Sequence, residues 1–554
     1  MAIRWAYLKR VLAGAIFGLY MAHLLYFLNP QVDITPARLG VVTLLYGAIC
    51  GVLFGSALWA LRLLRVRLFG RPGTEGAYRA HGFGFVVLAA FISATIYWIH
   101  LTVLRGGYLP IGAIRVLSKA TNLITATAFA LLLLWFVERN ADRRTSRTLF
   151  VLGVVLIAVS SFFLYQRRES YRTEKRNVVV AHVGTIAGQR PAILVAIRNL
   201  PYDWVVTLAG EGLLPFLDGS SRNAYFTRVE PFPTSSPKSL WASLATGKLP
   251  YRHGVTGRFS YRTPLNAAQG ERFLLLPSGV GFQAWGLIPP VERISAQLPA
   301  GDALPLWSVF ERVGLHAEVF GWPSSNPGGA TRVVTDSALQ KSSSAASIPP
   351  GIAQRFTATG KTRQEILHGL AIDSSAIAAA ANSRSDLRVV ALEGFAQAQR
   401  ALHIYRNELP ERGTPKGDGV RAYAQQIDRM LADLARRNPD HLFLIASPSA
   451  VVPPDIPGDA VSIVARFLRR GEEGASDGFV LLTGPGVIHR ANPLPSRVVD
   501  IAPTILFAAG LPIGRDMDGR IISNAFDDEF LRRTTLSAIQ TYEAEQLVVR
   551  RRGT

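Results

Sequence analysis

The chain has 554 residues, of which 49% are apolar, and a formal net charge of +21. This length argues against a single domain, and the composition is typical of a protein that is partly membrane-embedded and partly soluble. The single cysteine, Cys50, excludes an intramolecular disulfide. Many arginines and lysines lie between the apolar runs of the first third, which favours positively charged cytoplasmic loops over a nucleic-acid surface. We therefore expect no nucleic-acid partner.

Apolar runs in the first third are each about as long as a helix needs to be to cross a bilayer. They cover residues 11–28, 40–61, 82–104, 117–137 and 148–165. We therefore predict a transmembrane domain over residues 1–166, folded as a five-helix bundle. Gly47, Gly51 and Gly55 are spaced four apart, which favours close helix packing inside the bundle over dimerisation.

Basic residues indicate the orientation of these runs. They cluster after the second and fourth runs, at 62–79 and 139–147, whereas the connection after the first run carries only Arg38. Since cytoplasmic loops are enriched in lysine and arginine, this predicts a cytoplasmic N-terminus and an extracytoplasmic C-terminal domain. Basic residues at 105–119 and 167–176 are exceptions to the pattern. We expect an integral membrane protein, most simply of a bacterial inner (cytoplasmic) membrane.

The pattern changes near residue 177. Short β-rich runs begin at Asn177, Ala192, Leu387, His441 and Phe479, and they alternate with helical stretches such as 417–436. Buried strands separated by helices predict an α/β domain with a mostly parallel central sheet flanked by helices. We place this domain at residues 177–530, followed by a basic C-terminal tail at 531–554.

Ligands of such sheets gather at the carboxyl ends of the strands. The loops that follow Ile197, Leu392 and Ala446 are therefore where the sequence predicts a site.

One stretch carries a hydroxyl-rich loop that leads into a helix: residues 231–255 read PFPTSSPKSLWASLATGKLPYRHGV. Unpaired N–H groups and the helix dipole favour a phosphate or sulfate ester at such a helix start. The order of these residues resembles the nucleophile segment of the alkaline phosphatase superfamily, in its type I phosphodiesterase/nucleotide pyrophosphatase branch. Further segments agree in order, at 306–323, 423–431, 484–486 and 500–520. The resemblance spans about 190–525 and implies an alkaline phosphatase-like fold.

The order of the parts is also informative. Membrane spans followed by an outward domain of this superfamily are similar to the layout of lipoteichoic acid synthases and phosphoethanolamine transferases. That layout implies work on lipid-linked phosphate at the outer face of a membrane.

Active members of the family, as the resemblance implies, bind two divalent metals, usually zinc, through Asp and His, and attack phosphorus with a Thr or Ser. The positions where those metal ligands are expected carry other residue types here, at Arg198, Gln399, Pro448, Ser449 and Gly474. The resemblance therefore implies that the two-metal site is absent, and we expect no metal cofactor and no metal ligands.

Vestigial catalytic candidates remain. The nucleophile position falls at Pro237, with Ser235 and Ser236 beside it, and His403 keeps its place on the helix. The serines are also typical of turns and caps, and a lone histidine on a helix face is usually packed or hydrogen-bonded. Arg198 is an anion-binding candidate for phosphate, sulfate or carboxylate, or it forms a salt bridge that fills the old pocket.

These observations favour a catalytically inactive, membrane-anchored pseudoenzyme. It would be a structural or accessory subunit of a membrane complex, or a binder of an anionic ligand, with other membrane subunits and anionic lipid or glycan as its partners. The alternative is a phosphodiesterase or phospho-group transferase that acts on lipid-linked substrates at the outer membrane face through Ser235 or Ser236, His403 and Arg198. A transporter or channel has little support, since the apolar runs contain few charges.

Overall fold

The computed structural model describes most of the chain after residue 76. The described ranges are 77–99, 111–138, 141–168, 178–183, 190–222, 224–231, 237–255, 259–262, 292–295, 303–323, 332–334, 359–405, 407–448 and 477–549, with single positions between them and scattered helical positions in 1–68. The chain separates into two compact units. The first comprises 1–174, 259–294 and 458–464, and the second comprises 175–258, 295–457 and 465–554.

Long apolar helices form the described core of the first unit. They are α1 (Ala77–Ile99), α2 (Ile111–Glu138) and α3 (Arg143–Arg168). Helix α2 contacts both of the others. Its contacts are partly polar: Trp98 Nε1 donates to Thr125 Oγ1 at 3.1 Å, and the hydroxyls of Thr127 and Ser160 lie 2.7 Å apart.

Within the described residues, two helices are long and apolar enough to cross a membrane, Ile114–Glu138 and Arg144–Gln166. They correspond to the predicted runs 117–137 and 148–165. Helix α1 lies at the predicted run 82–104 and contains a shorter apolar helical stretch, Val86–Thr95, among the described residues. The runs 11–28 and 40–61 lie largely outside the described residues, so the predicted five-helix bundle is not confirmed.

The predicted close packing at small residues is present where the structure describes it. A Cβ on Gly55 would lie 2.7 Å from the Cα of Val11, and one on Gly51 would lie 3.0 Å from the carbonyl oxygen of Val11. Only glycine permits so close an approach, so these positions serve packing within the first unit.

The second unit is built on an eight-stranded sheet with the order β11-β3-β10-β9-β2-β8-β6-β7. The strands are β2 (Ala192–Ile197), β3 (Tyr225–Glu230), β6 (Ala317–Phe320), β7 (Arg332–Val334), β8 (Leu387–Leu392), β9 (Leu442–Ser447), β10 (Gly478–Thr483) and β11 (Ser496–Arg497). All neighbouring pairs are parallel except the two that β10 makes. The predicted mostly parallel sheet is confirmed.

Helices cover this sheet. They are α4 (Tyr202–Gly210), α5 (Pro215–Arg222), α6 (Pro237–Thr246), α7 (Pro250–His253), α8 (Leu306–Arg312), α9 (Gly360–Ala381), α10 (Gly394–Ala401), α11 (Pro415–Arg436), α12 (Ile501–Ala508) and α13 (Asp528–Arg533). Helix α11 corresponds to the helical stretch predicted at 417–436. Its apolar side chains join those of β2, β8 and β9 in one core.

Two predictions about the ends of this domain need correction. The run at Asn177 does not enter the central sheet: β1 (Val180–Val183) pairs in parallel with β14 (Gln546–Val549) in a separate sheet. Its residues alternate between buried and exposed, whereas a strand in the middle of the central sheet is buried on both faces. The predicted tail at 531–554 is folded as far as Val549, the last residue of β14. Arg312 holds this segment to the domain, because it donates to the carbonyl oxygens of Tyr542 and Ala544.

Shorter strands complete the described part. They are β4 (Phe259–Arg262), β5 (Glu292–Ser295), β12 (Ile513–Gly514) and β13 (Ala538–Ile539). Strands β12 and β13 pair in parallel, so the segment after α13 is held to the domain at two points along its length.

A buried lysine joins two segments of the family resemblance. Lys248 Nζ donates to Asp516 Oδ2 at 2.5 Å and to the two oxygens of Glu543 at 2.6 and 2.5 Å. Burial raises the pKa of Asp516, but the charge of Lys248 and the hydrogen bonds to Asp516 together outweigh burial and leave that pKa below its usual value. Burial raises the pKa of Glu543. One lysine therefore neutralises Asp516 and holds the C-terminal segment at the end of α6.

A close helix crossing generates our first prediction. A Cβ on Gly394 would lie 2.2 Å from both the Gly369 carbonyl oxygen and the Tyr423 hydroxyl, whereas a Cβ on Gly210 would meet nothing within 4 Å. We expect Gly394→Ala to destabilise the protein by about 1–3 kcal/mol through overpacking. Gly210→Ala is the matched control and should be neutral or slightly stabilising. Denaturant unfolding followed by tryptophan fluorescence measures both, and equal stability of the two variants would contradict the crossing.

The amino edge of the sheet predicts a pH dependence. His441 Nε2 accepts from Arg388 at 3.2 Å, and burial, followed by the charge of Arg388, lowers the pKa of His441. The unfolded chain then binds more protons than the folded one at acidic pH, so this stability is complete above the ordinary histidine pKa of about 6.5 and is lost below it. His441→Gln keeps an acceptor but does not titrate. We expect thermal unfolding of His441→Gln to depend less steeply on pH than that of the parent protein, and parallel curves would rule the effect out.

Candidate functional site

Strand register brings the predicted loops together. Strand β2 pairs with β8 so that Ile197 lies opposite Leu392, and with β9 so that Ala196 lies opposite Ala446. Since all three strands are parallel, the residues after them meet at one carboxyl edge of the sheet. The register confirms that the loops after these strands share one edge, and a functional site there stays a prediction.

An ion pair occupies this edge. Arg198 Nη1 donates to Glu393 Oε2 at 2.5 Å, with 23% of the arginine side chain and 8% of the glutamate side chain exposed. Arg198 also donates its backbone N–H to the carbonyl oxygen of Leu392 at 3.0 Å. Of the two sequence-based interpretations of Arg198, the structure therefore shows the one in which it forms a salt bridge with a carboxylate.

Asn199 and Gln399 extend this ion pair into a polar cluster. Asn199 has a positive φ of 60°, a conformation that asparagine tolerates better than most residues. Gln399 lies in α10 and its Nε2 donates to the Asn199 carbonyl oxygen at 2.9 Å. Gln399, at a position where the resemblance implies an Asp ligand, therefore holds the turn after β2.

His403 lies just after α10 with a φ of 54°. Its Nδ1 is 3.3 Å from the Tyr405 hydroxyl, and its carbonyl oxygen accepts from Lys416 Nζ at 3.4 Å. These contacts join His403 to Tyr405 and Lys416 at the end of α10.

The remaining candidates are described only in part. Ser447 ends β9 and its Oγ accepts from the Leu200 N–H at 3.2 Å, while Pro448 follows it without a backbone N–H to donate. Ser235, Ser236, Ser449 and Gly474 lie outside the described residues. Pro237, at the predicted nucleophile position, is the first residue of α6.

Another serine and histidine contact each other between α6 and α7. The Ser243 hydroxyl lies 2.9 Å from His253 Nε2, and both residues are fully buried. His253 Nδ1 accepts the Val255 N–H at 3.1 Å. In a neutral imidazole the proton is then on Nε2, which donates it to Ser243. The histidine cannot also take the serine proton, so this pair is a scaffold contact and not a nucleophile with its base.

The described donors do not fit the two divalent metals that the family would use. Glu393 is the carboxylate at this edge, and it already pairs with a guanidinium, which repels a dication. Within the described ranges no group of three or more His, Cys, Asp or Glu side chains is arranged to hold a metal ion.

Sequence reasoning missed Glu393. The residue directly follows β8, in the loop that the sequence singled out, but nothing in a single sequence pairs it with a residue 195 positions earlier. The available signal was the exchange of an acid for Arg198: a cation at a buried strand end needs a carboxylate at a neighbouring strand end.

Comparisons with known proteins agree with the resemblance. Residues 209–446 match the sequence model of the type I phosphodiesterase / nucleotide pyrophosphatase family. No curated protein matches the chain. Murine ectonucleotide pyrophosphatase/phosphodiesterase 5 is similar, with a TM-score of 0.35, 10% identity, and coverage of 58% of this chain and 95% of that one.

Two bacterial structures are similar at the same level. The phosphonate monoester hydrolase of Silicibacter pomeroyi has a TM-score of 0.35 and 13% identity, and covers 60% of this chain and 76% of that one. A protein of the alkaline phosphatase superfamily from Vibrio parahaemolyticus has a TM-score of 0.35 and 12% identity, and covers 64% of this chain and 76% of that one.

The ion pair predicts a specific pattern of stability. Arg198→Met leaves Glu393 buried without its partner and should cost about 3–5 kcal/mol, whereas Arg198→Met with Glu393→Met removes both charges and should recover most of that loss. Arg436→Met, which breaks an exposed pair with Asp433, is the control and should cost under about 1 kcal/mol. Thermal and denaturant unfolding measure all three. A double variant as unstable as the single one would contradict the pairing.

Proposed function

We propose, from the match of residues 209–446 to the model of the type I phosphodiesterase / nucleotide pyrophosphatase family, that this chain is a membrane-anchored relative of that family that has lost catalysis. It serves as a structural or accessory subunit of a membrane complex, or as a binder of a ligand at its former active site. The observation that carries this proposal is the Arg198–Glu393 pair at the carboxyl edge of the sheet.

The chemistry of the reaction supports the proposal. Metal pairs catalyse phosphoryl transfer by stabilising the attacking and leaving oxygens, and they need several anionic or imidazole ligands on an open face. Here Arg198 stands at the first ligand position that the resemblance implies, and Gln399 stands at another. Arg198 bonds to Glu393, and Gln399 donates to the backbone of Asn199. A serine without such a metal needs a base within hydrogen-bond reach. The contact that the structure describes for the His403 side chain is with the Tyr405 hydroxyl and not with a serine.

The scaffold, by contrast, is kept. Lys248, Asp516 and Glu543 remain bonded, and Asp518 accepts from the Leu249 N–H at 2.8 Å and from Arg252 Nε at 2.9 Å. A domain that keeps its fold while its metal positions hold other residue types is best suited to binding or assembly.

The membrane anchor gives this domain its place in our proposal. The domain lies on the outer side of a bacterial cytoplasmic membrane, supported by the placement of basic residues after the second and fourth apolar runs and by two sufficiently long apolar helices. Large apolar side chains on α3, such as Phe150, Val155 and Phe162, are about half exposed. Such a surface suits lipid or the helices of other subunits.

Metal content and turnover test the loss of catalysis. We expect the full-length protein, purified in detergent, to carry no stoichiometric zinc, manganese or calcium by elemental analysis. We also expect it to hydrolyse a bis-aryl phosphodiester no faster than the Ser236→Ala, His403→Ala double variant. Added chelator should leave its thermal unfolding unchanged, since no metal contributes to stability.

One or two metals per chain, with turnover that the double variant lacks, would overturn the proposal. The phosphodiesterase or phospho-group transferase hypothesis for lipid-linked substrates would then replace it.

Labelling tests the orientation. Cys50 is the only cysteine of the chain, so Cys50→Ser gives a background in which Asn382→Cys supplies a single exposed thiol in the second unit. We expect a membrane-impermeant maleimide to label Asn382→Cys in intact cells as fully as in lysed ones. Labelling only after lysis would place the domain in the cytoplasm.

A further inference from the structure

The carboxyl edge of the sheet, around Arg198 and Glu393, contains buried polar atoms that have no hydrogen-bond partner in the part of the chain that the structure describes. They are Arg198 Nε, Asn199 Oδ1, Glu393 Oε1 and Gln399 Oε1. Buried polar groups in folded proteins are nearly always paired with protein, water or ligand. Four such atoms in one place therefore need an explanation.

These side chains form a single cluster. Arg198 is bonded to Glu393, and Gln399 donates to the backbone of Asn199, the next residue after Arg198. Asn199 is 7%, Glu393 6% and Gln399 1% exposed. The amide of Gln399 is fixed by that donation, so its oxygen points away as an acceptor. The cluster reaches solvent at Arg198, whose side chain is 23% exposed.

The atoms without partners define the chemistry of a ligand. One is an N–H donor and three are oxygen acceptors, from a carboxylate and two amides. A phosphate or sulfate group offers only acceptors at its oxygens when ionised and would face those three oxygens unfavourably. A group that both donates and accepts, as a hydroxyl does, can satisfy all four.

The local charge excludes a cation. Arg400 follows Gln399 on α10, and burial together with the charge of Arg198 lowers the pKa of the Arg400 guanidinium. The two arginines share one carboxylate, Glu393, so the net charge of this group is positive. An ammonium or a metal ion would be repelled.

We propose that this cluster is a binding site for adjacent hydroxyl groups of a neutral sugar or polyol. Hydroxyl hydrogens go to the oxygens of Asn199, Glu393 and Gln399, and a hydroxyl oxygen accepts from Arg198 Nε. The inference rests on the proposed loss of catalysis, because an intact metal pair would occupy the same edge. It names hydroxyls, and not a phosphate, as what the former site recognises.

Binding to sugar probes tests this site. The full-length protein is reconstituted in phosphatidylcholine nanodiscs, since alkyl glycoside detergents would themselves compete. Methyl α-mannoside, methyl β-glucoside, methyl β-galactoside and myo-inositol are titrated by calorimetry and saturation-transfer NMR, with inorganic phosphate as the comparison. We expect saturable binding of at least one polyhydroxylated probe and none of phosphate.

Asn199 offers a sharp variant. Asn199→Gly keeps the positive φ and removes one acceptor, and it should weaken binding roughly tenfold, the usual effect of one lost hydrogen bond. Asn199→Asp keeps an acceptor and should bind more tightly than Asn199→Gly. Asn382→Gly, the same change at an exposed helix end, is the control and should bind as the parent does.

Three outcomes would overturn the site: no saturable binding of any sugar probe, unchanged affinity in Asn199→Gly, or binding of phosphate in competition with the sugar. The first would assign the unpartnered atoms to bound water. Phosphodiester hydrolysis is measured in the same samples. Turnover would contradict the loss of catalysis, whereas absent sugar binding without turnover would contradict the hydroxyl site alone.

Discussion

The fold of the second unit depends on a buried lysine that joins distant segments of the chain. Lys248 is 4% exposed and bonds to Asp516 and Glu543, which lie more than 260 residues later in the chain. Removing Lys248 would leave two carboxylates in a mostly buried group without their cation, which costs more than the ion pairs contribute when intact. The residues that follow α6 and the C-terminal segment must therefore fold together.

The same rule shapes the carboxyl edge of the sheet. Parallel strands deliver charged residues to one place, and a low-dielectric edge tolerates them only as pairs or with bound ions. Metals and acidic ligands are one solution, and a guanidinium with a carboxylate is another. Arg198 and Glu393 neutralise each other where β2 and β8 end.

The two units follow different physical rules. In the second, polar groups are paired at strand ends and helix starts, as when Asp428 accepts the N–H groups of Phe216 and Leu217 at the start of α5. In the first, polar side chains bond within and between helices, as Thr127 does with Ser160. Apolar residues of α3 are exposed among the described residues, which suits a hydrocarbon environment.

The sequence by itself determined the α/β class, the mostly parallel sheet, the strands at 192–197 and 387–392, and the edge where side chains would meet, because burial on both faces leaves a continuous apolar signature. The tertiary structure alone decided that Arg198 pairs with Glu393, that β1 leaves the central sheet for β14, and that the C-terminal residues to Val549 are part of the fold. These are contacts between residues far apart in the chain, and local periodicity carries no information about which distant partner satisfies a given charge or strand edge.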